Sequence, residues 1–376
     1  MSTPRRVLVI GGGASGNAVT ILLRRAGVTV DLIEARPDWN ATTGSGITLQ
    51  GNALRVLRDL GVWEEVSACG YAFGSLGVTI PDGTVIHEIE DIRTGGPDLP
   101  ATLGMQRPRL QQILIDTVRA CGATVRLGTT AKTLDQDADG VSVRFSDDTT
   151  GRYDLVIAAD GLNSTTRAAI GIADKPEPTG MAIWRTPTPR PAGVTRTDLA
   201  YGGPAYIAGY CPTSEDTIYA YVVEANRDRA SIPPQTYADE MRRLAQAYGG
   251  VWPEIVEHIT DPAKVNYTWF DKLLVEGSWH RGRVVLVGDA AHCCPPTIAQ
   301  GAALSLEDAS VLAELLTSGR DWDEDLFQAY YERRVPRVRT VVEASVQIGQ
   351  WQLDGVRDAD VPGLIGRTMT ILKELP

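Results

Sequence analysis

The run Val7-Leu8-Val9-Ile10-Gly11-Gly12-Gly13-Ala14-Ser15-Gly16 decides the fold. Four apolar residues of strand length lead into a Gly-x-Gly-x-x-Gly spacing at Gly11, Gly13 and Gly16. Glycine there permits a tight strand-to-helix turn and lets the backbone approach a diphosphate. A helix follows from about Ala14 to Arg25, with Ala18, Ile21 and Leu22 apolar and Gly27 as its stop. A second strand, Thr29 to Glu34, completes a βαβ unit and predicts a parallel sheet with helices on its faces. Glu34 then sits where a carboxylate accepts hydrogen bonds from ribose hydroxyls. This turn alone does not distinguish NAD from FAD.

Two distant segments repeat the strand-then-carboxylate design. Tyr153 to Ala159 reads as a buried strand ending at Asp160-Gly161, followed by Leu162-Asn163-Ser164 and Arg167. Taken alone, this second segment is an ordinary βα turn with an N-cap. Val284 to Val287 leads to Gly288-Asp289-Ala290-Ala291-His292, with Pro295-Pro296 stiffening the loop before a helix near Gly301. A carboxylate at the C-terminal end of such a strand lies where open α/β sheets bind ligands. A helix N-terminus aimed at a flavin's pyrimidine edge would stabilise the negative charge of its reduced form. This third segment favours FAD over NAD.

The 376 residues allow one large domain or two ordinary ones, and 43% hydrophobic with 22% charged residues are globular values. A net charge of −11 argues against nonspecific nucleic-acid binding. No run approaches the roughly 20 apolar residues of a membrane span. The pair Arg5-Arg6 mimics the start of an export signal, but glycines follow Val7 to Ile10 at once, so no export is expected. Five cysteines lack metal-ligand spacing, and no metal is expected; a reducing cytoplasm is the simplest setting.

Along the rest of the chain, residues 51 to 66 carry apolar residues at helical spacing, and residues 75 to 90 alternate as a hairpin about Asp82-Gly83. Leu110 to Ala120 predicts a helix, and Thr124 to Leu127 and Val141 to Phe145 predict strands. From Met181 to Asp271 prolines and tyrosines cluster, which reads as a mostly antiparallel sheet with one helix near Tyr237 to Tyr248. Ala302 to Leu316 and Asp325 to Gln350 are helical. The expected division is a discontinuous nucleotide-binding domain (1–70, 101–180 and 276–320), a substrate domain (71–100 and 181–275) and a helical segment (321–376).

Together these segments resemble the single-component, FAD-dependent aromatic hydroxylases, the p-hydroxybenzoate, 3-hydroxybenzoate and salicylate hydroxylase family. The matches are the glycine turn through Glu34 and Arg36, Arg107-Pro108-Arg109-Leu110 before a helix, and Asp160-Gly161 through Arg167. They continue with Gly288 to His292 through Pro296, Gln300-Gly301 and Glu307-Asp308-Ala309, then Tyr331-Glu332 with Arg334 and Arg337. The resemblance spans nearly the whole chain. It implies an α/β fold: a Rossmann-like FAD-binding domain with an interleaved antiparallel-sheet substrate domain and C-terminal helices. It also implies FAD contacts at Gly11, Gly13, Ala14, Ser15, Gly16, Glu34, Ala35, Arg36, Arg107, Ala131, Asp160, Asp289, Pro296, Gly301 and Ala302. The resemblance further implies NADH or NADPH as a transient reductant, and the lack of a second glycine fingerprint after a strand fits a family without a separate NAD(P) domain.

On the substrate side, Tyr206, Ala208 and Tyr210 share one face of a strand and would leave a slot between two phenols. In the family a His or Tyr at the Tyr206-like place, and a Tyr before the proline, orient and help deprotonate a phenol. Tyrosine, with an ordinary pKa of about 10, is a poor base at neutral pH, so Tyr206 would orient the ring or act through water. The competing reading is that both are plain sheet aromatics. Gln300 matches a family glutamine facing the substrate, and Pro296 is a further candidate for substrate contact; Arg185 could bind a substrate carboxylate, although a surface ion pair is the commoner role for such an arginine. Tyr219 and Tyr221 read as core or rim, His292 as structural, and Cys293-Cys294 as packing.

The expected activity is hydroxylation of a small aromatic, phenolic substrate with O2 through a flavin C4a-hydroperoxide, by a cytoplasmic monomer or homodimer with neither nucleic-acid nor membrane partners. One alternative keeps the fold and acts as an epoxidase or natural-product oxygenase. Another class is a nicotinamide-dependent dehydrogenase or a flavin-binding protein without catalysis.

Overall fold

The computed structural model describes residues 5–39 and 44–376. The export reading rests partly on residues 1–4, which lie outside them. The strand Arg6–Ile10 is the centre of a six-stranded sheet. It pairs in parallel with Thr29–Glu34 on one side and Leu155–Ala158 on the other, and the latter pairs in parallel with Val284–Leu286. Thr124–Leu127 and the short antiparallel strand His280–Arg281 are the two edges. Val7, Leu8, Val9, Leu155, Val156, Ile157, Val284 and Val285 have no exposed surface. Strands covered on both faces need an apolar residue at every position rather than at every second one. The three strand-then-polar segments seen in the sequence are therefore neighbours, and their C-terminal ends lie side by side.

The second layer is an eight-stranded sheet. Its order is His292–Cys293, Asn266–Leu274, Glu177–Pro189, Thr217–Ala225, Ile207–Pro212, Thr197–Ala200, Ser75–Thr79 and Val85–Glu90. All neighbours are antiparallel except Thr197–Ala200 with Ser75–Thr79, which joins the early hairpin to the later strands. One face of this sheet packs against the helices Tyr237–Ala245 and Trp252–Glu257 through Trp184, Ala208, Tyr210, Ala220 and Val222. Its other face, with Ile183, Ile207 and Val223, turns toward the parallel sheet.

Two local expectations need correction. The single helix over residues 51 to 66 is two, Gly51–Asp59 and Trp63–Cys69. The break is at Gly61, whose φ of 63° an ordinary side chain disfavours. Ala131 lies in the strand Ala131–Gln136 of a separate three-stranded sheet and packs against the cluster of Leu8, Ile10 and Val143. It does not line the cleft described below. Thr133 and Leu134 gave too weak an alternation beside Asp135 and Gln136 for this strand to be seen in the sequence.

The long helix Glu324–Leu353 contains Pro336 and is followed by Val361–Lys373, which returns over the space between the two sheets. Among the described residues no helix is long and apolar enough to cross a membrane.

Candidate active site

The facing strand ends leave a cleft with a volume of about 800 Å3. Its nucleotide half is built from the glycine turn. Gly11 has φ 105°, and a Cβ there would lie 2.3 Å from the Ala159 carbonyl oxygen. A Cβ on Gly16 would lie 1.9 Å from the Gly11 oxygen. Those two glycines let the strand, turn and helix close on one another. Gly13 is different: a Cβ on it would meet nothing within 4 Å, because it borders the open cleft.

Gly13 caps the helix Ala14–Arg25, and Gln300 caps Gly301–Thr317; neither cap supplies a side-chain hydrogen bond, and neither first turn contains an acid. Two helix N-termini thus present unpaired N–H groups and positive dipole ends at one cleft. The turn into the second contains Ala299 in the left-handed conformation, φ 53°. A non-glycine residue held there stores strain, as ligand-facing turns often do.

The carboxylates complete this half. Glu34 accepts hydrogen bonds from the amides of Gly12, at 2.9 Å, and Arg36, at 3.0 Å. Asp289 sits in the turn after Val284–Leu286 and, among the described residues, receives one long contact, 3.5 Å, from the Ser305 hydroxyl. Burial raises its pKa, while His292 and Arg107 act in the opposite sense. A carboxylate exposed on the cleft wall with so few donors is suited to ligand hydroxyls. Ala14, Ser15, Arg36, Arg107, Asp160, Pro296, Gly301 and Ala302 also line the cleft. Ala35 is exposed and falls just outside the lining. Asp160 is largely committed to its own turn, accepting from Ser164 Oγ at 2.5 Å and the Thr166 amide at 3.0 Å.

Behind this surface lies a buried charged network. Asp308 accepts from the Gly288 amide and from Arg334, and pairs with His292 at 2.6 Å. Glu307 pairs with Arg334 and Arg337. These partners hold both carboxyl pKa values below the ordinary range against the opposing effect of burial. His292 is structural here.

The substrate half differs from expectation. Tyr210 donates to Asp198 at 2.7 Å and packs edge-on to Trp252, on the helix-covered face of the eight-stranded sheet. Tyr206, just before the strand, lies beside the Ile207 and Val223 cluster but does not line the cleft. Strand alternation explains this: Ile207 faces the cleft, so Ala208 and Tyr210 face away. Gln300 is fully buried, exchanging hydrogen bonds with Gln50 and Asn52, and braces the cleft rather than facing it.

In their place stand Tyr219 and Tyr221, with ring centroids 5.4 Å apart, and Arg185. Arg185 pairs in register with Tyr221 on the adjacent strand, so the three side chains share a face. Its Nη2 donates to Thr268 at 2.6 Å, its Nε is buried without a partner, and no carboxylate pairs with it among the described residues. Burial first, and Arg107 next, push its pKa down to about 10, which leaves it charged at neutral pH. Around it lie Leu76, Ile183, Leu199, Ile207, Val223 and Phe270. The sequence also concealed Trp39 and Gln111, which both donate to the Gly12 carbonyl, and the helix residues Ile365 and Met369 on the cleft.

The open glycine, two uncapped helix ends and a cleft-facing carboxylate with few donors fit a flavin dinucleotide and define an α/β flavoprotein. Residues 5–345 match the family model described as an FAD binding domain, and the chain belongs to that family. YetM of Bacillus subtilis (strain 168), named by assignment as an FAD-dependent monooxygenase, is 30% identical over 374 residues, 98% of this chain and 99% of its own. The 3-amino-4-hydroxybenzoate 2-monooxygenase PtnB3 of Streptomyces platensis is 29% identical over 374 residues, 93% of this chain and 89% of its own. The fold matches Klebsiella pneumoniae HpxO, solved with FAD and uric acid, with a TM-score of 0.83 at 22% identity, covering 98% and 92% of the two chains. This chain is an FAD-dependent monooxygenase of the aromatic hydroxylase type, with NAD(P)H as reductant.

Proposed function

We propose that the enzyme hydroxylates an aromatic ring carrying an anionic or carbonyl oxygen, and that Arg185 holds that oxygen. The carrying observation is the Arg185 guanidinium in the cleft wall, which has a buried Nε and no carboxylate partner among the described residues. A buried cation without a counter-charge is costly, and a ligand oxygen would offset that cost. The apolar side chains around it suit the ring itself, and Tyr219 and Tyr221 supply polar edges.

FAD, when bound, supplies hydride acceptance from NAD(P)H and activation of O2. The chain's own residues would bind and orient. Gly13 and the helix start at Ala14 would receive the diphosphate, Glu34 the ribose, Asp289 the ribityl hydroxyls, and the Gly301–Ala302 amides the flavin edge. Arg36, Arg107 and Pro296 would border it. The apolar wall, closed by Ile365 and Met369, would keep water from the reacting ring. The protein is proposed to work in the cytoplasm as a monomer or homodimer; its five free cysteines suit a reducing compartment.

The test is a screen of FAD-reconstituted enzyme with NADH and NADPH, following oxygen uptake and product by mass. Hydroxylation of anionic or carbonyl-bearing aromatics, lost in Arg185→Met while FAD content is kept, is the expected result. Coupled turnover only with uncharged alkenes would remove it.

A further inference from the structure

Side chains from three parts of the fold meet on one backbone oxygen. The Gly12 carbonyl accepts from Asn17 Nδ2 at 3.0 Å, from Trp39 Nε1 at 2.9 Å and from Gln111 Nε2 at 2.7 Å. Asn17 belongs to the helix Ala14–Arg25, Gln111 to the helix Arg107–Ala120, and Trp39 to the stretch after Thr29–Glu34. A carbonyl oxygen has two lone pairs, so a third donor more than saturates it. Asn17 has no exposed surface, and its Oδ1 lacks a partner among the described residues while its Nδ2 serves Gly12. Trp39 is buried as well. Its approach explains why residue 12 is a glycine: a Cβ there would lie 2.3 Å from Trp39 Nε1. The Gly12 amide, in turn, is held by Glu34 at 2.9 Å.

In a trans peptide the N–H points opposite to the C=O. An oxygen held by these side chains therefore turns the Gly13 N–H away from them. That N–H has no partner among the described residues, and Gly13 borders the cleft. Donors on the oxygen also polarise the peptide and strengthen its N–H as a donor. Turning the peptide over would present an oxygen in place of that N–H and leave the buried Asn17 and Trp39 donors unmet. We propose that Asn17, Trp39 and Gln111 are positioning residues for the cofactor: they lock the Gly12–Gly13 peptide so that the diphosphate meets a donor already set, with no rearrangement of the turn on binding. The inference rests on the proposed placing of the diphosphate at Gly13 and adds what orients that turn.

The experiment labels the protein with [1-13C, 15N]glycine, so that in a carbonyl-edited amide spectrum only Gly–Gly peptides give signals, the 12–13 peptide among them. Gly13→Ala identifies its peak by loss. FAD added to the wild type should move the Gly13 amide proton. Gln111→Leu and Trp39→Phe should each move the Gly12 carbonyl upfield, shrink the FAD-induced movement, and weaken FAD binding by about two- to tenfold, the worth of one net hydrogen bond. The double variant should lose more than either alone. Half-buried Gln111 carries the test if Trp39→Phe does not fold. A Gly13 amide that moves by the wild-type amount in the folded variants, or FAD affinity unchanged in them, overturns the inference. A Gly13 amide unmoved by FAD in the wild type overturns the placing of the diphosphate itself, and the inference with it.

Discussion

The Gly288 amide donates to Asp308 Oδ2 at 2.9 Å, so a carboxylate twenty residues further on holds the turn that presents Asp289 to the cleft. Asp308 is itself fixed by Arg334 at 2.7 Å and His292 at 2.6 Å. Removing one member of such a buried set leaves the others uncompensated. Asp308→Asn should destabilise the protein by about 3–5 kcal/mol, read in denaturant unfolding, and lower FAD affinity. An unchanged unfolding midpoint would mean that the network is not structural.

The same network sets an acid limit. The Glu307 and Asp308 pKa values are lowered in the fold, so their contribution is complete above the unfolded-state values and is lost as pH falls through the folded ones. Thermal scans should show a steep loss of stability below pH of about 4, where carboxylates begin to protonate. In Arg337→Met that loss should begin at higher pH, because the arginine that makes two hydrogen bonds to Glu307 is gone, leaving Arg334 and the more distant Arg55.

Asp289 behaves oppositely. Its pKa is raised by burial, so the charged form costs stability in the FAD-free protein, and the cost is relieved as pH falls toward the raised value. Asp289→Asn should therefore stabilise the FAD-free form and weaken FAD binding by about 10- to 100-fold, the worth of a hydrogen bond to a charged group. Calorimetric unfolding with and without FAD separates the two effects.

The glycines divide by what surrounds them. Gly13→Ala adds a methyl group to open space and should leave the FAD-free melting temperature unchanged while abolishing FAD retention on purification. Gly16→Ala drives a methyl group into the Gly11 carbonyl and should cost about 1–3 kcal/mol or more whether or not FAD is present.

Arg185→Met should raise the melting temperature of the ligand-free enzyme, since a cation with an unpartnered Nε is removed from the cleft wall. The same change should weaken binding of anionic aromatics with FAD content intact. A variant that lost FAD as well would place Arg185 at the nucleotide rather than at the substrate.

The parallel sheet was legible because burial on both faces demands unbroken apolar runs, as at Val7 to Ile10 and Leu155 to Ala158. The glycine turn and Asp289 were legible because each follows such a run at once. The substrate wall was not. Tyr206 and Tyr210 present the same alternating signal as Tyr219 and Tyr221, and only the pairing of Arg185 with Tyr221 reveals which tyrosines look into the cleft. Nor could spacing show that Gln300 is consumed by Gln50 and Asn52, some 250 residues earlier. The helix Val361–Lys373 is covered only by the expectation of a helical segment over 321–376, and its apolar residues give no hint that they border a cleft.

That helix has a consequence for biosynthesis. Pro362, Ile365, Gly366 and Met369 border the same opening as Gly11, some 355 residues away. At translation rates of about 5–20 residues per second, roughly 20–70 s separate the emergence of the two walls from the ribosome. The nascent chain thus carries its glycine turn long before the helix that closes the cleft is made, and an unshielded site is the state in which the chain spends its synthesis.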